Sequence, residues 1–173
     1  MEEHQLFLCL GGNQGNKSEI FNTTRKLIAE NIGTLRNISP VYASPPWGFK
    51  AHSAFWNQVL EVSTSLSPEE VLIQIHKIEA GFGRKRIAGK YLSRKMDIDL
   101  LFYDSLVMES ELLILPHPLL ALRRFVLVPL ADIAPDRVHP VTGKSVHQML
   151  AETTDPSEVT RVTPPVAAFP GKR

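Results

Sequence analysis

From Leu6 to Tyr103, short apolar runs alternate with stretches of helical periodicity, and that alternation restricts the fold of this chain more than any single motif. Leu6 to Leu10 is apolar enough for a buried strand and stops at Gly11-Gly12. Ser18 to Asn31 then places Ile20, Phe21, Thr24, Leu27 and Ile28 on one helical face, with Gly33 as its stop. Leu35 to Tyr42 and Phe55 to Thr64 read as strands, joined by a long loop containing Ser44-Pro45-Pro46-Trp47-Gly48. The clearest helix start comes next: Ser67 can cap, Pro68 suits the first helical position, and Glu70 completes a capping box. Val71, Leu72, Ile75 and Ile78 form the buried stripe of that helix, and Asp97 to Tyr103 is the following strand. The order strand, helix, strand, strand, helix, strand predicts a ferredoxin-like βαββαβ sandwich of the α+β class, with helices packed on one face of an antiparallel sheet. Downstream, Leu106 to Leu115 reads as a strand pair and Phe125 to Ile133 as a short helix.

The length of 173 residues, with 43% hydrophobic and 21% charged residues, suits one well-packed domain, expected over residues 1–152. Residues 153–173 carry Pro156, Pro164, Pro165 and Pro170 without periodicity and read as a loosely held tail. The start Met-Glu-Glu-His-Gln is acidic and lacks the cationic opening of a signal peptide, no apolar run reaches membrane-spanning length, and the single Cys9 lies in an apolar run as a small core residue. These features point to a cytoplasmic protein that does not engage a membrane. With 19 Lys+Arg against 18 Asp+Glu, the chain is also too close to neutral for a typical nucleic-acid binder.

Chemistry concentrates in Arg94-Lys95-Met96-Asp97-Ile98-Asp99-Leu100-Leu101-Phe102. Side chains alternate along a strand, so Asp97 and Asp99 share a face, roughly 6 to 7 Å apart at their roots, while Ile98, Leu100 and Phe102 turn to the core. Two hard carboxylates on one rigid strand suit a pair of Mg²⁺ ions of the kind used in phosphoryl displacement. Just upstream, Arg84, Lys85, Arg86, Lys90, Arg94 and Lys95 crowd with Gly81, Gly83 and Gly89 into a window without acidic residues. Such a flexible cationic loop can fold over a polyphosphate and close as a lid. The Gly11-Gly12-Asn13-Gln14-Gly15-Asn16 segment lacks the spacing of either a Walker loop or a dinucleotide fingerprint and reads as a structural turn.

Two other segments read as ligand surface. Pro45-Pro46-Trp47-Gly48-Phe49 exposes large aromatics, and in Phe55-Trp56-Asn57 alternation puts Phe55 and Asn57 on one face and Trp56 on the other. A flat ring stacked on Phe55 could present its edge to the Asn57 amide, which both donates and accepts, as a pterin or nucleobase edge requires. His117 stands between Pro116 and Pro118, with Arg123 and Phe125 shortly after, and is rigidly enough flanked to contact phosphate.

Taken in order from about Leu6 to Leu150, these segments resemble the 6-hydroxymethyl-7,8-dihydropterin pyrophosphokinase family of folate synthesis. The resemblance rests on Gly-Gly-Asn, Ser-Pro-Pro-Trp-Gly, Phe-Trp-Asn, Ile-Glu then Gly-Arg, Arg-Lys-Met-Asp-Ile-Asp-Leu, Pro-His-Pro, Arg-Arg-Phe and Pro-Leu-Ala-Asp-Ile-Ala-Pro. It implies the ferredoxin-like fold and transfer of pyrophosphate from ATP to the pterin alcohol, releasing AMP. By resemblance, Asp97 and Asp99 hold two Mg²⁺ ions and Arg84 and Arg94 engage the phosphates. Glu79, Lys90, Ile98, His117 and Arg123 then help to bind ATP. Asn57 reads the pterin edge, Phe55 and Phe125 stack on its faces, and Ser44, Pro45, Trp47 and Asp97 complete its pocket. The chain departs from the common pattern at Ser44, Trp47, Phe55, Tyr91 and Leu92, none of which removes a charge the chemistry uses. The expected partners are the two small-molecule substrates, with no nucleic acid and with the chain acting as a monomer. A regulatory nucleotide-sensing module and an RNA-binding domain are the rival readings. The first does not need paired carboxylates, and the second would show steep salt dependence.

Overall fold

The computed structural model describes residues 2–45, 54–83 and 95–163, and all structural statements below concern these residues. The first strand, β1 (His4–Gly12), leads through a turn into helix α1 (Lys17–Asn31), whose N-cap Asn16 accepts the Glu19 N–H through its side chain. Strand β2 (Thr34–Ile38) follows, then β3 (Tyr42–Ser44) and β4 (Phe55–Thr64). Helix α2 (Pro68–Gly81) starts as its sequence predicts, with the Ser67 hydroxyl accepting the Glu70 N–H and Pro68 in the first turn. Strand β5 (Asp97–Tyr103) completes the βαββαβ unit.

These strands build an antiparallel sheet in the order β5-β1-β4-β3, with β2 also paired to β4. Because β4 runs antiparallel to both β1 and β2, those two are parallel and α1 is the crossover between them. The same logic applied to β1 makes β4 and β5 parallel, joined through α2. This is the expected ferredoxin-like arrangement. Gly33, which follows the C-cap Ile32 of α1, is required for a second reason, since a Cβ there would collide with the Ser63 carbonyl of β4.

Three sequence expectations change. The single strand anticipated over Leu35 to Tyr42 is two strands broken at Ser39-Pro40, where Pro40 supplies no N–H to a ladder. The break is held against β4: Ser39 N–H donates to the Val59 carbonyl at 2.9 Å, and the Ser39 hydroxyl accepts the Val59 N–H at 2.9 Å. Second, Phe102 does not share a face with Ile98 and Leu100. The register with β1 passes from Leu8↔Leu100 to Phe7↔Phe102, so a bulge at Leu101 brings Phe102 into the opposite layer beside Leu101. Third, helices cover both faces of the sheet. Helices α1 and α2 bury Phe21, Ile28, Val71, Ile75 and Ile78 against Leu6, Leu8, Leu10, Leu60 and Leu100.

On the other face lie α3 (Arg124–Ile133) and α4 (Val146–Glu152), which bury Val126, Leu127, Leu130, Val146 and Met149 against Phe7, Cys9, Val59, Leu101 and Phe102. At about 1.5 to 3 kcal/mol for each large apolar side chain, both layers are needed to hold the sheet. Helix α4 is absent from the sequence reading, although Ser145 and Gln148 form a complete capping box at its start. The strand pair anticipated in Leu106 to Leu115 is present as the hairpin of β6 (Met108–Glu109) and β7 (Ile114–Leu115). Within the stretch read as a loose tail, β8 (Thr160–Arg161) returns to pair with β3.

Candidate active site

A cavity of ≈ 590 Å³ opens at the β5 edge of the sheet, below the start of α3. Its floor comes from three adjacent strands in register: Gly11 of β1 pairs with Asn57 of β4 on one side and with Asp97 of β5 on the other. One row deeper, Cys9 pairs with Val59 and Asp99. At a strand spacing of 4.7–4.9 Å, the Asn57 and Asp97 backbones lie about 10 Å apart with a bare glycine between them. The sheet therefore presents an amide, a flat gap and a carboxylate pair along one wall.

The amide end is rigid. Asn57 is 4% exposed, and its Nδ2 donates to Ser44 Oγ of β3 at 3.1 Å. A Cβ on Gly11 would stand 3.0 Å from Asn57 Oδ1, so the glycine lets the amide lie close to the floor. Ser44, Pro45 and Phe55 line the cavity beside it, and Phe125 of α3 lines it too. Trp56 takes the other face, as alternation requires, and packs edge-on against Phe21 with ring centroids 6.0 Å apart.

At the carboxylate end, Asp99 Oδ1 is 4.0 Å from His117 Nε2 and Asp99 Oδ2 is 4.0 Å from Arg123 Nη1. His117 N–H donates to the Leu101 carbonyl at 3.0 Å, and its ring Nδ1 accepts the Leu119 N–H at 3.1 Å. An accepting Nδ1 places the proton of a neutral ring on Nε2, facing the cavity. Burial, followed by the nearby Arg123 charge, outweighs Asp97 and pushes His117 down to about 4, so the ring is neutral at pH 7. Arg123 also lies over the Phe125 ring, 5.6 Å from its centroid. Burial, and then the charges of Asp99 and Asp97, push the Cys9 thiol well up, which keeps it protonated beneath the carboxylates.

Asp97, Ile98, Asp99, His117, Arg123, Ser44, Pro45, Phe55, Asn57 and Phe125, all expected at the site, thus line one cavity. Glu79 is 3% exposed and lies behind the wall, where its Oε2 accepts the Ile98 N–H at 2.8 Å and steadies the strand between the two aspartates. Arg84, Lys90, Arg94 and Trp47, with most of the anticipated lid, lie outside the described residues. Sequence reasoning missed the far end of the cavity, lined by Leu72 and His76 of α2 and by Ser110 to Ile114 of the β6–β7 hairpin. The signals were slight: His76 falls one turn after Leu72, and Leu112, 79% exposed, is an apolar residue at a hairpin tip.

Comparison with known proteins decides the family. The family described as 7,8-dihydro-6-hydroxymethylpterin-pyrophosphokinase (HPPK) matches residues 7–135. The 2-amino-4-hydroxy-6-hydroxymethyldihydropteridine pyrophosphokinase of Aquifex aeolicus is 39% identical over 150 residues, covering 86% of this chain and 92% of that one. This chain belongs to the HPPK family. The same-named protein of Synechocystis sp. is 44% identical over 166 residues, covering 93% of this chain and 82% of that one. Folic acid synthesis protein fol1 of Pneumocystis carinii is 38% identical over 156 residues; that match takes in 90% of this chain but 21% of the longer protein. In structure, the HPPK fold is shared with the wild-type HPPK-DHPS of Plasmodium falciparum, at TM-score 0.70 and 16% identity, covering 87% of this chain and 43% of that one.

Two carboxylates on one wall suit Mg²⁺ better than a metal with an all-protein ligand set. Among the described residues no group of three or more His, Cys, Asp or Glu is placed to hold a metal. Mg²⁺ commonly takes one or two carboxylates and fills its remaining positions with water and substrate phosphates.

Proposed function

We propose that this chain transfers the terminal pyrophosphate of ATP to the hydroxymethyl oxygen of 6-hydroxymethyl-7,8-dihydropterin, forming the pterin diphosphate and AMP in folate biosynthesis. The observation that carries this reading is the common wall on which the buried Asn57 amide and the Asp97–Asp99 pair stand about 10 Å apart, separated by Gly11. A pterin with its ring edge on Asn57 spans that gap and brings its hydroxymethyl arm to the carboxylates.

In this mechanism the new bond joins the pterin oxygen to the β-phosphorus as its hydroxyl proton is released to solvent, and the bond from that phosphorus to the α-β bridging oxygen breaks, with AMP leaving on the opposite side. Two Mg²⁺ ions on Asp97 and Asp99, with substrate phosphates, would neutralise triphosphate charge and lower the barrier to in-line displacement. Phe55 and Phe125 sandwich the ring, Asn57 and Ser44 fix its edge, and Pro45 closes the side of the pocket. Neutral His117 offers its Nε2–H to a phosphate oxygen, and Arg123 adds a fixed positive charge. Glu79 holds the β5 backbone at Ile98, so that both aspartates keep their direction. Arg84, Lys90 and Arg94 bring further positive charge to the phosphates and Trp47 extends the pterin pocket. Residues 1–152 carry the catalytic and substrate-binding groups, and the chain acts as a cytoplasmic monomer; among the described residues no helix is long and apolar enough to cross a membrane.

The test is incubation with ATP, Mg²⁺ and the pterin, followed by nucleotide separation. Pterin-dependent AMP supports the reading, ADP would replace it with simple phosphoryl transfer, and binding without either product would favour a nucleotide sensor.

A further inference from the structure

Helix α3 begins between two cavity residues. Arg123 is its N-cap, Arg124 its first residue, and Phe125 the next; Arg123 and Phe125 both line the cavity. An N-cap normally offers a side-chain oxygen to the free N–H groups of the first turn, but an arginine has only donors, and Arg123 makes no cap hydrogen bond. The missing acceptor arrives from beyond α4. Asp155 Oδ2 accepts the Arg124 N–H at 2.9 Å, while its Oδ1 accepts the Ser157 N–H at 2.9 Å. Each carboxylate oxygen therefore holds a backbone N–H, one of them between two groups that face the ligand cavity.

The segment around Asp155 is itself anchored at both ends. Thr153 N–H donates to the Met149 carbonyl at 3.0 Å, closing α4, and the Thr153 hydroxyl accepts the Asp155 N–H at 3.3 Å. Further on, Thr160 and Arg161 pair with Ala43 and Tyr42, and Val162 N–H donates to the Val41 carbonyl at 2.9 Å. Strand β3 ends at Ser44, which holds the Asn57 amide. Tyr42 also donates its hydroxyl hydrogen to Asp132 of α3. Residues 153–162 thus form a strap from the end of α4, across the first turn of α3, to the strand carrying the other side of the pocket. Although burial raises the Asp155 carboxyl, its hydrogen bonds to Ser157 and to the Arg124 N–H outweigh that and hold it below the usual carboxylate range.

We infer that Asp155 is a positioning residue for pterin recognition: it caps α3 from a distance and thereby sets the Phe125 ring against the Phe55–Asn57 wall. The inference rests on the reading of the cavity given under Proposed function. In steady-state assays, Asp155→Ala raises the KM for the pterin about fivefold, the weight of one lost cap, with kcat within about twofold. Asp155→Asn, whose single amide oxygen can accept from the Arg124 N–H or the Ser157 N–H but not from both, falls between the parent and Asp155→Ala. In a Phe125→Ala background, Asp155→Ala brings no further rise in pterin KM, because the ring it positions is gone.

An unchanged pterin KM in Asp155→Ala, alongside a raised one in Phe125→Ala, overturns the inference and leaves the cavity reading standing. So does a rise that simply adds to that of Phe125→Ala, since it marks a general structural effect. If Phe125→Ala itself leaves pterin KM unchanged, the cavity reading falls and the inference with it. Should Asp155→Ala not accumulate as folded protein, Asp155→Ser, whose oxygen is too short to reach the Arg124 N–H, is put through the same cycle and judged by the same outcomes.

Discussion

Replacing Gly11 with alanine tests the floor of the cavity directly. The added Cβ would lie 3.0 Å from Asn57 Oδ1 and 3.8 Å from the Trp56 carbonyl oxygen. An ordinary carbon-to-oxygen contact is about 3.3 to 3.6 Å, so the amide must retreat by a few tenths of an ångström. Asn57 is buried and its Nδ2 is already 3.1 Å from Ser44 Oγ, so a retreat of that size takes the bond toward the limit of about 3.5 Å. Losing one such hydrogen bond costs about 0.5 to 1.5 kcal/mol, which is a pterin KM about 2- to 12-fold higher. Asn57→Ala, which strands partners on the ligand edge, should cost about 1 to 3 kcal/mol and mark the upper bound. Since the Asn57 amide oxygen and the Trp56 carbonyl are the nearest atoms to that Cβ, the KM for ATP should stay within about twofold. Initial rates of AMP formation, with each substrate varied at saturating levels of the other, separate the two constants. A folded Gly11→Ala variant with unchanged pterin KM, or with both KM values raised equally, would refute the assignment of the amide to the pterin edge.

Other expectations follow from single contacts. Asp97→Asn and Asp99→Asn should each lose at least about 10³-fold in turnover, and titration with Mn²⁺ in the presence of a nonhydrolysable ATP analogue should show weakened binding. Near-normal turnover in both variants would remove the metal assignment. Burial, with the hydrogen bond and charge of Asp132, raises Tyr42 to about 12, so absorbance titration of the 3 tyrosines should contain a late component that shrinks in Tyr42→Phe, the remainder belonging to Tyr103, which burial also raises. Because the folded value of Tyr42 exceeds the unfolded one, its contribution to stability is complete below about pH 10 and lost as pH rises toward 12, a loss Tyr42→Phe should reduce. Ser145→Ala breaks the capping box of α4 and should lower stability by about 1 kcal/mol, or Tm by about 2 to 4 °C; an unchanged Tm would mean that the cap is energetically idle.

The parts of the site legible beforehand were those set by neighbours in sequence. Asp97 with Asp99, and Phe55 with Asn57, share faces because a strand alternates, whatever lies beside it. The capped start of α2 was equally local, and the box at Ser145 was legible in principle on the same grounds. Phe102 was placed on the wrong face because alternation assumes an unbroken ladder, and the bulge at Leu101 depends on how β1 pairs with β5. Gly11 and Cys9 looked like a strand end and a core residue; only their register between β4 and β5 puts them under the ligand cavity.

What the sequence determined by itself was the succession of elements, the two-residue spacing of the paired groups, and the ordered motifs that mark the family. These rest on dihedral preference, periodicity and side-chain chemistry, which act over a few residues. Tertiary structure decided that an amide in β4 and two carboxylates in β5 stand on one wall with β1 between them, and that Glu79 of α2 braces that wall. It also decided that a carboxylate 31 residues downstream caps the helix carrying Phe125. Such contacts exist only once sheet pairing and burial have brought distant segments together. Their cost is loop closure and desolvation, and their reward is packing that no local window contains.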